Sequence, residues 1–168
     1  GLARASDDVI RDFCARKHLP GTFIISLGTL EPRKNIIALV DAFEKCARLP
    51  KLSDVHLVLA GSRGWLWRPL LQQIARSSVR DRIRVVGEVS PNDRALWLSS
   101  ATVLVYPSLL EGFGFPPLEA MACGTPVIAG ANSSLFETVG DAGLLVDPYR
   151  VDQMSRALAE VISDGNLR

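Results

Sequence analysis

The sequence has little net charge, few cysteines and no long apolar run. Its 19 lysine and arginine residues nearly balance 18 aspartate and glutamate residues, and the net charge of +1 gives no electrostatic support for binding nucleic acid. The three cysteines are widely spaced and match neither a CxxC pair nor a zinc-binding spacing, so we expect free thiols in a reducing, cytoplasmic compartment. No apolar run approaches the ~18 residues that a transmembrane helix needs.

Several catalytic fingerprints are also missing. No GxGxxG follows the first predicted strand, and neither GxxxxGK[ST] nor GxSxG occurs, so nicotinamide, P-loop and serine-hydrolase chemistry lack their usual motifs. The two histidines, His18 and His56, fall at the end of a helix and at the start of a strand, where we expect structural roles. No cluster of histidine and aspartate indicates a catalytic metal, and we expect none.

What the sequence does contain is a regular alternation of short apolar runs and amphipathic segments. At 168 residues, 48% of them hydrophobic, the chain (1–168) has the size and composition of a single globular domain. The apolar runs lack polar alternation, which is typical of parallel strands buried on both faces. About six strand–helix repeats therefore predict an α/β fold with a doubly wound parallel sheet. The predicted strands are FIISLG, VHLVLAG, IRVVG, TVLVYP, PVIAG and GLLVDP, which begin at residues 23, 55, 83, 102, 126 and 143.

Capping residues predict where the helices begin and end. Asn35 stands where it can cap the helix after the first strand, and Ser90 followed by Pro91 has the pattern of a cap with proline at the first helical position. Pro116 and Gly124 similarly bracket a short helix of small residues.

Glycine, serine and charged residues concentrate in the loops that follow the predicted strands. Open α/β sheets bind ligands outside the carboxyl ends of their strands, so this clustering predicts a site at that edge. The loops at that edge are residues 28–35, 61–64, 87–93, 107–117 and 130–134.

The loop 107–117 has the features of an anion site. The backbone amides of Gly112, Phe113, Gly114 and Phe115 precede a helix, whose dipole favours negative charge at that end. The two prolines that follow have no amide proton, so any anion cradle must come from the glycine loop itself.

Two glutamates flank this loop and allow two interpretations each. Glu119 falls in the first helical turn, where it could simply complement the dipole, or it could accept two vicinal ribose hydroxyls. Glu111 could be a solvated loop residue or a contact to a sugar hydroxyl.

Arg33 and Lys34 enter the same edge from the first strand. A basic pair on a surface is usually just solvated, but beside an anion cradle two cations can offset a diphosphate. Trp65 and Trp67 lie near this edge as well, where we expect them to cover the core or anchor a helix rather than stack on a base.

These segments resemble a known family. EGFGFPPLEAMACGTPVIA, at residues 111–129, resembles the Glu–seven residues–Glu motif of retaining glycosyltransferases of family 4. LGTLEPRKN, VVGEVSPNDRALWLSSATVLVYPSLLEGFG and ETVGDAGLLVDP resemble the other landmarks of that family in the right order, so the resemblance covers about residues 21–162. It implies one half of a GT-B enzyme, namely the Rossmann-like C-terminal domain that binds the donor, without the N-terminal acceptor domain.

The resemblance also implies roles for individual residues. Lys34, with Arg33, would bind the donor pyrophosphate, Glu111 would contact the transferred sugar, and Glu119 would hold the ribose hydroxyls. Many family members have an arginine after the first strand's glycine where this chain has Thr29, and Arg33 would compensate. The remaining predicted binding residues are Gly28, Gly61, the loop from Gly87 to Val89, and the backbone of Gly112, Phe113 and Gly114.

The function that follows is transfer of a hexosyl group from a nucleotide-diphosphate sugar to a saccharide or lipid-linked acceptor. Mannose is favoured as the transferred sugar, and a GDP-sugar is favoured over a UDP-sugar as the donor. No further cofactor is expected. The longer enzyme could lie peripherally at the inner face of the cell membrane. We expect this isolated domain to be inactive. Two alternatives remain: a non-catalytic nucleotide-binding module, and a glycoside hydrolase using Glu111 and Glu119, which needs carboxylates about 5–5.5 or 6.5–9.5 Å apart.

Overall fold

The computed structural model describes residues 2–164, which form one six-stranded sheet in the order β3-β2-β1-β4-β5-β6. All neighbouring strands are parallel. The doubly wound α/β fold is therefore confirmed, with each predicted apolar run in a strand. The strands are β1 (Thr22–Leu27), β2 (Val55–Ala60), β3 (Ile83–Gly87), β4 (Val103–Tyr106), β5 (Val127–Gly130) and β6 (Leu144–Val146).

Seven α-helices connect and cover the strands within residues 2–164. A 3-10 turn at Pro32–Lys34 precedes the second of them, and this turn is part of the site described below. The helices are α1 (Asp7–Lys17), α2 (Ile36–Cys46), α3 (Arg68–Arg76), α4 (Arg94–Ser100), α5 (Phe115–Ala122), α6 (Leu135–Val139) and α7 (Val151–Ser163).

The helices form two layers, one on each face of the sheet. Leu39 and Phe43 of α2 and Leu158 of α7 pack in one apolar cluster with alternate strand residues. Phe13 of α1 and Trp97 of α4 lie in the other cluster and meet edge to face with ring centroids 5.5 Å apart. Because both faces are covered, the central strands are buried throughout, which explains their unbroken runs of apolar residues.

Two predicted helix caps differ from the structure. Asn35 occupies the N-cap position of α2, but its side chain donates to the backbone oxygen of Pro148 (2.7 Å) instead of capping the helix. The prediction that Ser90 caps a helix starting at Pro91 was wrong, because α4 starts at Arg94 after a turn in which the Ser90 hydroxyl accepts from the amide of Asp93 (3.1 Å). Local hydrogen bonding of the serine thus closes a turn and delays the helix.

The sheet has its switch point between β1 and β4. These strands are neighbours in space, but the chain runs from β1 outward to β2 and β3 and returns to begin the other half at β4. The loops that follow β1 and β4 therefore lie side by side at the carboxyl edge, where open α/β sheets bind ligands in a crevice.

Candidate functional site

Lys34 and Glu111 meet across the switch point. Lys34 closes the 3-10 turn after β1, and Glu111 lies in the loop after β4. The Lys34 Nζ is 2.6 Å from the Glu111 Oε1, and the Arg33 guanidinium approaches the same oxygen at 3.0 Å. The lysine and glutamate side chains are only 11% and 9% exposed, so this ion pair is buried, whereas Arg33 remains 41% exposed.

Hydroxyl groups complete the surroundings of Glu111. The Ser108 Oγ donates to Oε1 (2.6 Å), and Lys34 also donates to the hydroxyl of Tyr106 (2.5 Å). Burial alone would raise the pKa of Glu111, but the hydrogen bonds from Lys34 and Ser108 and the lysine charge together hold it below its ordinary value. The pKa of Tyr106 is raised by burial and by the Glu111 charge, so the phenol stays neutral. Glu111 is thus a carboxylate.

Backbone contacts tie the two loops into one unit. The amide of Leu109 donates to the backbone oxygen of Arg33 (2.8 Å), and the Arg33 guanidinium donates to the oxygen of Leu110 (2.7 Å). Arg33 also pairs with Glu31 at 2.8 Å, so its side chain has a defined position although it is partly exposed. The fold therefore fixes the positions of Arg33 and Lys34.

A third loop, after β5, makes hydrogen bonds to the backbone of Glu111 and Ser108. Asn132 donates to the backbone oxygen of Ser108 (3.0 Å), the amide of Glu111 donates to the hydroxyl of Ser133 (3.1 Å), and Ser134 donates to the backbone oxygen of Glu111 (3.1 Å). The sequence had indicated this loop only as one of five polar loops at the edge. The contacts of Tyr106, the last residue of β4, and of Ser108, two residues later in the loop, were also missed.

The glycine loop leaves its amides available. Within residues 2–164, the amides of Gly112, Phe113, Gly114 and Phe115 donate no hydrogen bond. Gly114 adopts φ +88°, and a Cβ there would lie 2.6 Å from the Leu135 side chain, so this turn requires glycine. The free amides directly precede the eight-residue α5, as an anion site requires, and anion binding itself stays a prediction.

Glu119 has one dominant partner, Arg94. The Arg94 Nε and Nη2 atoms both contact one carboxylate oxygen of Glu119, Oε2, at 2.6 and 2.5 Å. The prediction that Glu119 stands in the first helical turn was wrong, because α5 begins at Phe115 and has no acidic residue in its first turn. Glu119 therefore does not complement the helix dipole from the first turn of α5. Arg94 itself was not predicted, since only the packing of α4 against α5 brings it close.

Gly28, directly after β1, and Gly61, directly after β2, lie in close contact. Gly61 has φ +153°, and a Cβ there would lie 1.8 Å from the backbone oxygen of Gly28. Gly28 is open by comparison, because a Cβ there would make only ordinary contacts with Lys34 and Tyr106. Thr29 lies against Gly64, where an added Cβ would be 2.7 Å from its methyl group.

Val89 lies apart from the Lys34–Glu111 cluster. It lines a separate open cavity of about 330 Å³ with Lys17, Arg84, Asp93 and Trp97, which belong to α1, β3, the turn before α4 and α4 itself. His56 is distant as well, because it sits at the amino end of β2, opposite Phe23 in the register. Burial and the charge of Arg82 lower the pKa of His56.

The arrangement suits binding and charge stabilisation better than acid catalysis. A glycoside hydrolase needs one carboxylic acid with a raised pKa. Here the pKa of Glu111 is lowered, and Glu119 contacts Arg94 twice through one oxygen. Two cations beside free amides can instead hold a phosphorylated ligand and stabilise a departing phosphate.

Comparisons with known proteins agree with this description. The family model "Glycosyl transferases group 1" matches residues 15–168. The chain is 40% identical to O-antigen chain mannosyltransferase B of Escherichia coli over 148 residues, which are 87% of this chain and 38% of the relative. It is 33% identical to O-antigen chain mannosyltransferase RfbU of Salmonella typhimurium over 82% of this chain and 37% of the relative. The chain thus spans less than two fifths of either relative.

Solved structures show the same fold. Anabaena HepE, in complex with UDP and glucose, superposes with a TM-score of 0.87 at 25% identity over 98% of this chain and 45% of that one. A sucrose-phosphate synthase from Thermosynechococcus elongatus gives 0.83 at 31% identity, over 97% of this chain and 41% of that one. No helix within residues 2–164 is long and apolar enough to cross a membrane. With the family model covering nearly its whole length, the chain belongs to the group 1 glycosyl transferases.

Proposed function

We propose that this chain is the donor-binding domain of a retaining glycosyltransferase of the GT-B type. The observation that carries the proposal is the cluster of Lys34, Arg33 and Glu111 at the switch point, next to four backbone amides that are free within residues 2–164. Two cations and a set of amide donors suit a diphosphate joined to a sugar. Membership of the group 1 family supports the same function.

We further propose that the donor is a GDP-sugar and the transferred group is mannose. The support is the names of two relatives, which are O-antigen chain mannosyltransferases. HepE was solved with UDP and glucose, so a UDP-sugar is the competing donor to test. The acceptor would be a saccharide or a lipid-linked saccharide, held with the part of the longer protein that lies outside this chain.

In this proposal each residue of the cluster has a defined task. Lys34 and Arg33 bind the pyrophosphate, which requires Lys34 to share its ammonium between Glu111 and the phosphate. Glu111 accepts a hydroxyl of the transferred sugar, with help from the amides of the glycine loop, and Glu119 accepts the ribose hydroxyls through its less occupied oxygen Oε1. Gly28, Thr29 and Gly61 shape the floor of the crevice, and residues 87–89 border the nucleobase.

The chemistry would depend on stabilising the leaving group. The bond between the sugar C1 and the diphosphate oxygen breaks, and the nucleoside diphosphate leaves. The oxygen of the acceptor hydroxyl forms the new bond to C1 on the same face of the sugar, and its proton passes to the departing diphosphate oxygen. The negative charge that develops on the diphosphate is offset by Lys34, Arg33 and the amides, which are already ordered. Glu111, already a carboxylate, acts in positioning rather than as an acid.

The proposal is tested by titration calorimetry with GDP, UDP, dTDP and ADP on the folded chain. We expect GDP to bind most tightly, and Lys34→Met to weaken it about tenfold, with a smaller loss in Arg33→Gln, because charge-assisted phosphate contacts are lost. Added salt should reduce the difference. The matched control is Lys45→Met, which removes an exposed lysine of α2 that pairs with Asp152. Equal affinity in wild type and Lys34→Met would refute the phosphate contact.

The chain alone should bind the nucleotide without transferring a sugar. It spans 38% of the length of its mannosyltransferase relative, and the acceptor would need residues outside it. Purified chain incubated with GDP-mannose and acceptor oligosaccharides should therefore release no GDP above the level of a Lys34→Met control. Sustained turnover would show that this chain holds a complete active site.

A further inference from the structure

Tyr106 is a buried tyrosine to which the proposed nucleotide binding gives no task. It is the last residue of β4, it pairs in register with Ala129 of β5, and it is only 3% exposed. Its ring packs in the same apolar cluster as Phe13 and Trp97. A phenylalanine would fill this place in the cluster as well, so the hydroxyl group needs an explanation of its own.

The hydroxyl lies between the cation and the carboxylate of the proposed site. The Lys34 Nζ donates to it at 2.5 Å, and the same Nζ is 4.7 Å from the centre of the tyrosine ring. Burial raises the pKa of Glu111, but hydrogen bonds from Lys34 and Ser108, the lysine charge and a hydrogen bond from Tyr106 lower it. The hydroxyl thus accepts from the ammonium and donates to the carboxylate, as a phenol can.

The ammonium of Lys34 has one N–H group left for a ligand. A lysine ammonium carries three donors. One donates to Tyr106, and another donates to the Glu111 Oε1 at 2.6 Å. No further acceptor contacts this nitrogen among residues 2–164. Because the three N–H bonds are arranged tetrahedrally, fixing two of them also fixes the direction of the third.

The two partners of the ammonium differ in charge and in rigidity. Glu111 offsets the lysine charge and lies in a loop, whereas Tyr106 belongs to a buried strand. Burial raises the pKa of Tyr106, so its hydroxyl stays neutral. A neutral acceptor orients the ammonium without cancelling its charge, and that charge remains available to a phosphate.

The stem of Lys34 is confined as well. A Cβ added at Gly28 would lie 3.6 Å from the lysine Cε and 4.0 Å from the tyrosine Cε2, so the glycine, the lysine stem and the ring pack together. Lysine is otherwise a flexible side chain with several rotatable bonds. Packing along the stem and the hydroxyl at its end therefore hold the ammonium in place before any ligand arrives.

We infer that Tyr106 is a positioning residue, which holds the Lys34 ammonium so that its third N–H meets the donor diphosphate. The inference rests on the proposed function, in which Lys34 binds the pyrophosphate. Tyr106 itself contacts neither the nucleotide nor the sugar and acts only through Lys34. A cation that is already ordered lowers the cost of binding, because the ligand does not have to immobilise a lysine side chain.

The experiment is calorimetry of Tyr106→Phe with whichever of GDP, UDP, dTDP and ADP binds the wild type most tightly. Losing one hydrogen bond to the ammonium should weaken binding about fivefold. In the Lys34→Met background the same substitution should change affinity by less than about twofold, because the group through which it acts is gone. The matched control is Tyr149→Phe, which alters the other tyrosine, 75% exposed, and should bind as the wild type does.

A second readout observes the ammonium directly. The chain has four lysines, and Lys34 is the buried one, since Lys17, Lys45 and Lys51 are all exposed. An NMR spectrum of the chain labelled with ¹⁵N-lysine should therefore show one slowly exchanging ammonium signal, which Lys34→Met removes. Tyr106→Phe should broaden this signal or abolish it, because the N–H that loses its acceptor exchanges faster with water.

The outcomes separate the inference from the proposed function. Unchanged affinity in Tyr106→Phe, or an unchanged ammonium signal, would overturn the inference and leave the proposed function standing. An equal loss of affinity with and without Lys34 would also overturn it and would assign the hydroxyl to Glu111 instead. A wild type that binds none of the four nucleotides would refute the proposed function, and the inference would fall with it. Phenylalanine keeps the packed ring, so the variant should remain folded, which urea unfolding checks.

Discussion

The two glutamates beside the glycine loop are held in opposite ways. The Glu111 side chain is only 9% exposed, and its Oε1 is shared by Lys34, Arg33 and Ser108. Glu119 is 21% exposed, and its dominant partner is Arg94, which uses only Oε2. The first carboxylate is locked into the protein by several donors, whereas the second keeps an oxygen available to a ligand. The difference predicts that Glu111 matters for both folding and binding, while Glu119 matters mainly for binding.

The largest expected effect is the loss of stability in Glu111→Gln. Removing the carboxylate leaves the buried ammonium of Lys34 without its counter-charge, which costs about 3 kcal/mol of unfolding free energy. Urea unfolding of the two proteins would measure the loss. The isosteric control is Glu119→Gln, which should change the unfolding free energy by less than about 1 kcal/mol because its pair is partly exposed. Equal losses in the two variants would remove the distinction.

Substitution of Glu119 should affect nucleotide binding more strongly than it affects stability. Glu119→Gln should cost about 1.5–3 kcal/mol of nucleotide affinity, the range for a hydrogen bond to a charged group. A 2′-deoxy nucleotide should bind the wild type more weakly but lose little further in the variant, because the partner of that hydroxyl is already gone. Calorimetry with both proteins and both nucleotides gives the coupling energy. An unchanged 2′-deoxy penalty would mean that Glu119 does not contact that hydroxyl.

A smaller effect is expected on the pH dependence of the unfolding free energy, through Glu111. The folded-state pKa of Glu111 lies below its unfolded value, so its contribution to stability is present above the unfolded pKa and is lost as the pH falls through the folded pKa. The stability difference between wild type and Glu111→Gln should therefore shrink as the pH drops below about 4.5. Urea titrations across that range test the sign, and a difference that grows in acid would contradict it.

The smallest expected effect is on the stability of Arg94→Met. The pair with Glu119 is partly exposed and Arg94 stands at the start of α4, where the helix dipole disfavours a positive charge. Losing it should change the unfolding free energy by about 0.2–1 kcal/mol. Nucleotide affinity should fall by more than that, because Glu119 loses the contact that orients it. Calorimetry beside urea unfolding would show whether the two effects differ.

The sequence was sufficient for the strands and for the edge where the site lies. Unbroken apolar runs reported burial on both faces, and Lys34 and Glu111 could both be assigned to loops at that edge. Their mutual contact could not be read in advance, because 77 positions separate them and the sheet order decides which loops meet. Arg94 and Tyr106 were missed for the same reason, and the five-residue α6 lacks the length for a recognisable pattern.

The contact between Gly61 and Gly28 limits how this scaffold can be altered. A side chain at Gly61 would overlap a backbone oxygen that cannot move without disturbing the pairing of β1 with β2. Every residue type other than glycine should therefore be eliminated at position 61 in a library selected for folding alone, before any ligand is added. Attempts to change donor preference by directed evolution would have to work through the loops around this fixed point, since the point itself offers no tolerated variation.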